Sequence, residues 1–124
     1  MTSDMKEGLM FIATVVVSVL LAVALTFSAI GKLTKNPSVI PMLEQVGVPA
    51  DKIPWLAYVE ILGAVGLLVG LAVWPIGVAA AVGVILYFVG AVAAHLRAKD
   101  KEFAPAAGLA VFAIVALVLR VLSA

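Results

Sequence analysis

The feature that most constrains this chain is a series of long apolar stretches, the most informative of which runs from Trp55 to Leu71. An apolar run of this length predicts a helix that spans a membrane. It contains one charged residue, Glu60. A carboxylate near the centre of such a helix costs roughly 2.5–3.5 kcal/mol on insertion scales, so it requires a partner. The sequence therefore predicts a membrane bundle with a polar spot inside it.

The composition supports an integral membrane protein whose surroundings are the lipid bilayer. Of 124 residues, 65% are hydrophobic and 12% are charged, far from the balance of an average globular domain. A net charge of +1 without a basic block argues against nucleic-acid binding. The chain has no cysteine, which excludes disulfides and thiol chemistry, and a single histidine does not make a zinc site. We therefore predict no metal site.

Four apolar stretches predict an all-α, polytopic membrane four-helix bundle formed by one domain, residues 1–124. The predicted spans cover about 9–30, 55–73, 76–96 and 104–122. Trp74-Pro75 predicts a tight turn between the second and third spans. The first connection carries apolar residues at helical spacing, which predicts a short interfacial helix there. These residues are Val39, Ile40, Leu43 and Val46.

Glycines recur along the second and third spans, where small residues let neighbouring helices approach closely. We assign a helix-packing role to Gly63, Gly66, Gly70, Gly83 and Gly90. Such glycine faces serve equally well within one chain or between copies. The sequence therefore leaves a homo-oligomer open.

The distribution of cations predicts the orientation. Four spans place the first and third connections on one side of the membrane, which holds most of the cations: Lys32, Lys35, Lys52, Arg97, Lys99 and Lys101. The other side holds Lys6 and Arg120, and we expect Arg120 to reach outward to lipid headgroups. The excess of Lys and Arg predicts that the first and third connections are cytoplasmic.

The same topology brings Glu60 to the membrane side that carries Lys32, His95 and Arg97. Two interpretations stay open. In one, a Lys32–Glu60 ion pair only fixes the helix register while Arg97 extends to headgroups. In the other, these groups form a small polar pocket in which His95 responds to protons.

Several short motifs together resemble the DoxX-like family of small four-helix membrane proteins, and the resemblance covers nearly the whole chain. The motifs are residues 28–33 (SAIGKL), 47–49 (GVP), 60–63 (EILG), 67–70 (LLVG), 94–97 (AHLR) and Arg120. The resemblance implies a polar cluster at Lys32, Glu60, His95 and Arg97. The family takes its name from a membrane subunit of a thiosulfate:quinone oxidoreductase, which implies a redox partner in the membrane and a quinone as ligand. The absence of cysteine argues against direct sulfur transfer.

Our leading functional hypothesis is a non-enzymatic membrane subunit. It would bind an apolar small molecule, a quinone or a lipid, at the polar cluster, or dock a redox protein there. One alternative is a small proton-coupled transporter, although the polar groups occupy one side and form no continuous path. Another is a purely structural subunit of a membrane complex. An independent enzyme is the least favoured, because the sequence shows no nucleophile–base pair.

Overall fold

The computed structural model describes residues 3–35, 37, 40–45, 47–99 and 104–123, and in these ranges it contains helices and turns without a strand. This confirms the predicted all-α fold. Five α-helices follow one another along the chain, and a single 3-10 turn, Ala50–Lys52, precedes the third. They are α1 (Ser3–Leu33), α2 (Ile40–Gln45), α3 (Ile53–Val69), α4 (Trp74–Arg97) and α5 (Ala104–Leu122).

Three of the helices, α1, α4 and α5, are long and apolar enough to cross a membrane. The fourth apolar helix, α3, has 17 residues and is therefore about 25 Å long. That length is about 5 Å short of a typical hydrocarbon core, a difference that a bilayer accommodates by local thinning.

The turn between α3 and α4 lies earlier than the sequence analysis placed it. Helix α3 ends at Val69, residues 70–73 form the turn, and Trp74 and Pro75 already belong to the first turn of α4. A proline fits there because the N–H that it lacks would have no partner within the helix. The Trp-Pro pair thus marks the start of a helix instead of the turn itself.

The four long helices form a ring in which α1 packs against α3, α3 against α4, α4 against α5, and α5 against α1. Mostly small and aliphatic side chains, with one aromatic ring, fill the centre, among them Leu21, Leu25, Ala64, Leu67, Ala81, Phe88, Ala110, Ala113 and Ala116. Many large apolar side chains instead point outward, as Phe27, Leu62 and Leu86 do. An outward surface of this kind suits contact with acyl chains.

Glycines bring α3 and α4 together near their turn. A Cβ built on Gly70 would lie only 2.1 Å from the Cα of Gly77, and one on Gly66 would lie 2.9 Å from the Cβ of Ala80. Further from the turn, a Cβ on Gly63 of α3 would still lie 3.0 Å from Cγ2 of Val84, whereas one on Gly83 or Gly90 of α4 would meet nothing within 4 Å. The two backbones are therefore closest at the turn, and open space remains beside α4 at Gly83 and Gly90.

Helix α2 confirms the short helix predicted in the first connection, although Val39 and Val46 of its apolar stripe lie outside the described residues. Its Leu43 is buried against the bundle. The helix ends at Gln45, and Gly47 lies in the turn that follows, where its φ of +92° suits a residue without a side chain. The Val48 N–H then donates to the Leu43 carbonyl over 3.0 Å, which closes the turn.

Candidate functional site

An ion pair buried between α1 and α3 is the centre of the candidate site. The Nζ of Lys32 lies 2.5 Å from Oε1 of Glu60, with side-chain exposures of 8% and 1%. Lys32 lies in the last turn of α1, whereas Glu60 lies roughly 10 Å along α3 from its start. Among the described residues it is the only salt bridge, and each charge offsets the desolvation of the other.

The two members of the ion pair differ in how far their hydrogen-bonding groups are satisfied. Lys32 Nζ also donates to the Oγ of Ser28, one helical turn earlier, over 2.7 Å. Two of the three donors of the ammonium are thus used. On the acid, Oε2 is buried and has no hydrogen-bond partner among the described residues. One buried acceptor of a carboxylate is therefore left unsatisfied, which is unfavourable by roughly 1–3 kcal/mol or more.

Two cavities flank the ion pair. The first, here called the α3–α4 cavity, has a volume of about 350 Å³ and is lined by Glu60 together with Leu62, Gly83 and other residues of these helices. The second, the α2 cavity, has a volume of about 470 Å³ and is lined by Lys32 and His95 with apolar residues of α2, α4 and α5. Both are lined mainly by apolar residues. The polar end of the first is formed by Glu60, and that of the second by Lys32 and His95.

Tyr87 and Phe88 line both cavities and so lie at their boundary. Their rings meet edge to face, with centroids 4.9 Å apart. The Tyr87 phenol is close enough to Glu60 to interact with its charge. The carboxylate therefore belongs to one cavity and the ammonium to the other, with an aromatic pair between them.

The structure brings together three of the four residues of the predicted polar cluster. Lys32 and Glu60 are in direct contact, and His95, 6% exposed in the last turn of α4, lines the α2 cavity beside Lys32. Arg97 is exposed at the end of α4 and lines neither cavity. The side chain that follows His95 by two positions thus points away from the site.

The family model described as the DoxX-like family matches residues 16–119. The chain belongs to the DoxX-like family. Neither the curated proteins nor the solved structures that were compared with it gave a match. The matched range includes the ion pair, His95 and both aromatic residues of this DoxX-like site.

Two residues of the DoxX-like site were not singled out by the sequence analysis. One of them is Ser28, which accepts a hydrogen bond from Lys32. Its spacing of four residues from Lys32 was the available signal, since i and i+4 share a helix face. The sequence contains no such signal for Tyr87, because only the packing of α4 against its neighbours determines whether this side chain faces Glu60.

A second polar cluster lies at the opposite end of the DoxX-like bundle, around Arg120. Its side chain is buried, with 7% exposure, which overturns the expectation that it reaches lipid headgroups. Its Nε donates to the Gly70 carbonyl over 3.0 Å, and its Nη1 donates to the Ser123 Oγ over 3.1 Å. The carbonyls at a helix C-terminus lack partners within the helix and carry partial negative charge. Arg120 therefore caps the end of α3.

Neighbouring helices join the Arg120 cluster through further hydrogen bonds. The indole Nε1 of Trp74, at the start of α4, donates to the Arg120 carbonyl over 2.8 Å. From α1, Thr14 donates to the Leu119 carbonyl over 3.1 Å and is 2.9 Å from the Ser123 Oγ. The cluster thus links all four long helices at one level.

The described residues contain no group of three or more His, Cys, Asp or Glu side chains suited to hold a metal ion. The chemistry that they offer at the site is a buried donor group in one cavity and a buried acceptor in the other. Such an arrangement can orient a ligand by hydrogen bonds.

Proposed function

We propose that this DoxX-like protein is a non-enzymatic membrane protein that binds an apolar small molecule with a polar head group, a quinone or a lipid, in the α2 cavity. The observation that carries the proposal is the polar end of this cavity, where Lys32 and His95 lie in a mainly apolar lining. The association with a membrane redox system is suggested by the family resemblance alone.

The hydrogen-bonding capacity of Lys32 fits such a head group. An ammonium has three donors, of which Glu60 and Ser28 take two. The third is available for a quinone carbonyl or a lipid phosphate, both of which are acceptors. The volume of about 470 Å³ lies in the range of small-molecule pockets, roughly 300–1,000 Å³. His95 supplies a second nitrogen-bearing side chain at the same end.

The proposal is tested by native mass spectrometry of protein extracted gently from its own membrane. Gly90 lines the α2 cavity, and a Cβ there meets nothing within 4 Å, so Gly90→Leu places a side chain in or beside the cavity without touching the ion pair. Gly108→Leu is the matched control, since Gly108 also has open space around it and lines neither cavity.

We expect a quinone-sized or lipid-sized adduct on the wild type and on Gly108→Leu, and its loss from Gly90→Leu. An adduct that survives in Gly90→Leu would contradict binding in the α2 cavity. A protein that carries no small molecule but copurifies with a stoichiometric membrane protein would instead favour the structural-subunit alternative.

A further inference from the structure

We propose that the α3–α4 cavity is a separate binding site for an apolar molecule with a phenolic hydroxyl, which donates a hydrogen bond to Oε2 of Glu60. The proposal goes beyond the function proposed for the α2 cavity, because it concerns another space and the opposite hydrogen-bonding polarity. It rests on a buried, unpartnered carboxylate oxygen that belongs to a residue of the cavity wall.

The carboxylate of Glu60 determines which hydrogen-bonding group the ligand must have. An ionised carboxylate only accepts hydrogen bonds, and Oε1 is already occupied by Lys32. Oε2 makes no hydrogen bond of good geometry among the described residues, and the nearby Tyr87 hydroxyl, which interacts with Glu60, is the donor with which a ligand must compete. A hydroxyl that donates to it forms a charge-assisted hydrogen bond, which is stronger than a neutral one. Ketones, ethers and esters lack the proton and gain nothing there.

The cavity wall favours an aromatic ring over an acyl chain. Tyr87 and Phe88 lie beside Glu60 in the lining, and aromatic pairs gain energy from stacked or edge-to-face contacts beyond the area that they bury. The rest of the wall consists of glycine, alanine and aliphatic residues of α3 and α4, with Leu25 of α1. The volume of about 350 Å³ suits a single substituted ring.

The shape of the α3–α4 pair explains why the space exists. Near the turn, Gly70 and Gly77 bring the two backbones into contact. Two turns further along α4, a Cβ on Gly83 would meet nothing within 4 Å. The outer wall includes Leu62, which is 71% exposed. An apolar molecule dissolved in the bilayer can thus enter between the helices without crossing the core.

The experiment measures equilibrium binding of radiolabelled 2,6-diisopropylphenol to the protein in lipid nanodiscs, with empty nanodiscs as the partition blank. Its methyl ether, which keeps the ring and the isopropyl groups but has no hydroxyl proton, is the matched probe. The variants are Gly83→Leu, Gly90→Leu, Glu60→Gln and the control Gly108→Leu. Gly83→Leu places a side chain at the α3–α4 cavity and leaves the ion pair untouched.

We expect the phenol to bind wild type and Gly108→Leu at least about tenfold more tightly than the ether, the effect of one hydrogen bond to a charged group. Binding of the phenol should disappear in Gly83→Leu and persist in Gly90→Leu. In Glu60→Gln the preference for the phenol should vanish, because the side-chain amide can turn a donor toward the cavity.

Equal affinity of phenol and ether for the wild type would overturn the proposal, as would phenol binding that survives in Gly83→Leu. Loss of the phenol only in Gly90→Leu would also overturn it, while supporting the α2 cavity as the site. Conversely, failure of the adduct experiment with Gly90→Leu leaves this result unaffected. The two proposals can therefore fail separately.

Discussion

At the scale of single residues, the strongest constraint on this DoxX-like protein is the pairing of charges inside an apolar bundle. Lys32 and Glu60 are both buried and share one short contact. Removal of one member leaves the other charge in a medium that solvates it poorly, which is strongly unfavourable, whereas removal of both can be nearly neutral. The ion pair therefore predicts a distinctive pattern of mutant stabilities.

Substitution of Lys32→Met should lower the free energy of unfolding by about 3–5 kcal/mol, because Glu60 is then buried without a counter-charge. The double substitution with Glu60→Gln should recover most of that loss. Unfolding in mixed detergent micelles measures both effects. Lys52→Met, at an exposed lysine just before α3, is the control, and equal losses from Lys32→Met and Lys52→Met would show that the ion pair is not important for stability.

Arg120 shows where sequence reasoning at the residue scale was insufficient. A lone arginine near a helix end is most simply expected to reach toward the headgroups. Its actual partner, the Gly70 carbonyl, is a backbone group, and its availability depends on how α3 ends beside α5. No pattern of side chains encodes that contact. By contrast, the Lys32–Glu60 pair was predictable, because the predicted topology alone places these two opposite charges on the same side of the membrane.

The two arginines of the chain allow a direct comparison. Arg120→Met should lower the free energy of unfolding by about 2–3 kcal/mol, since hydrogen bonds to charged groups contribute roughly 1.5–3 kcal/mol each. Arg97→Met, at the exposed arginine that ends α4, should change it by less than about 1 kcal/mol. Both variants can be measured by the same unfolding titration. Similar effects of the two substitutions would contradict the capping role of Arg120.

At the scale of elements, α3 and α4 form a hairpin that is tightest at the turn and leaves open space beside Gly83. The sequence predicted that glycines would mediate helix contacts, and the structure places Gly63, Gly66 and Gly70 against α4. Gly83 and Gly90 instead have open space around them and line the two cavities. The sequence shows where small residues lie along one helix. The angle between two helices decides which of these residues are in contact with the neighbouring helix.

The hairpin predicts opposite effects for two identical substitutions. Gly70→Ala should lower the free energy of unfolding by about 3 kcal/mol, because overpacking against a backbone costs roughly 1–3 kcal/mol or more and the new Cβ would lie 2.1 Å from the Cα of Gly77. Gly83→Ala should be neutral or stabilising by up to about 1 kcal/mol, since alanine favours helices and the space is open. The same unfolding titration measures both variants, and equal effects of the two substitutions on the free energy of unfolding would contradict the close approach at the turn.

At the scale of the whole molecule, the fold class and the family were accessible from the sequence, because long apolar runs and short motifs at fixed order identify them. The cavities could not be predicted from the sequence, since they form where helices that pack tightly at one point diverge from each other. The two polar clusters stand at opposite ends of the bundle, with Leu21, Leu25 and Leu67 in the core. This separation disfavours a continuous polar path for protons across the described part of the chain.

The orientation of the bundle gives the last prediction, which the absence of cysteine makes easy to test. Single cysteines at Ser3, Lys52 and Lys99 mark the start of α1, the first connection and the end of α4, and all three positions are exposed. The excess of cations predicts that the two connections are cytoplasmic. On intact cells, a membrane-impermeant maleimide should therefore label Ser3→Cys and spare Lys52→Cys and Lys99→Cys until the membrane is permeabilised.

Each other labelling pattern would exclude a specific part of this arrangement. Labelling of both lysine positions with protection of Ser3→Cys would keep four spans and reverse the orientation, so charge distribution would not determine the insertion of this chain. Different accessibility of Lys52→Cys and Lys99→Cys would mean that α3 and α4 do not both cross. That outcome would bear directly on α3, whose 17 residues make it the shortest of the four apolar helices.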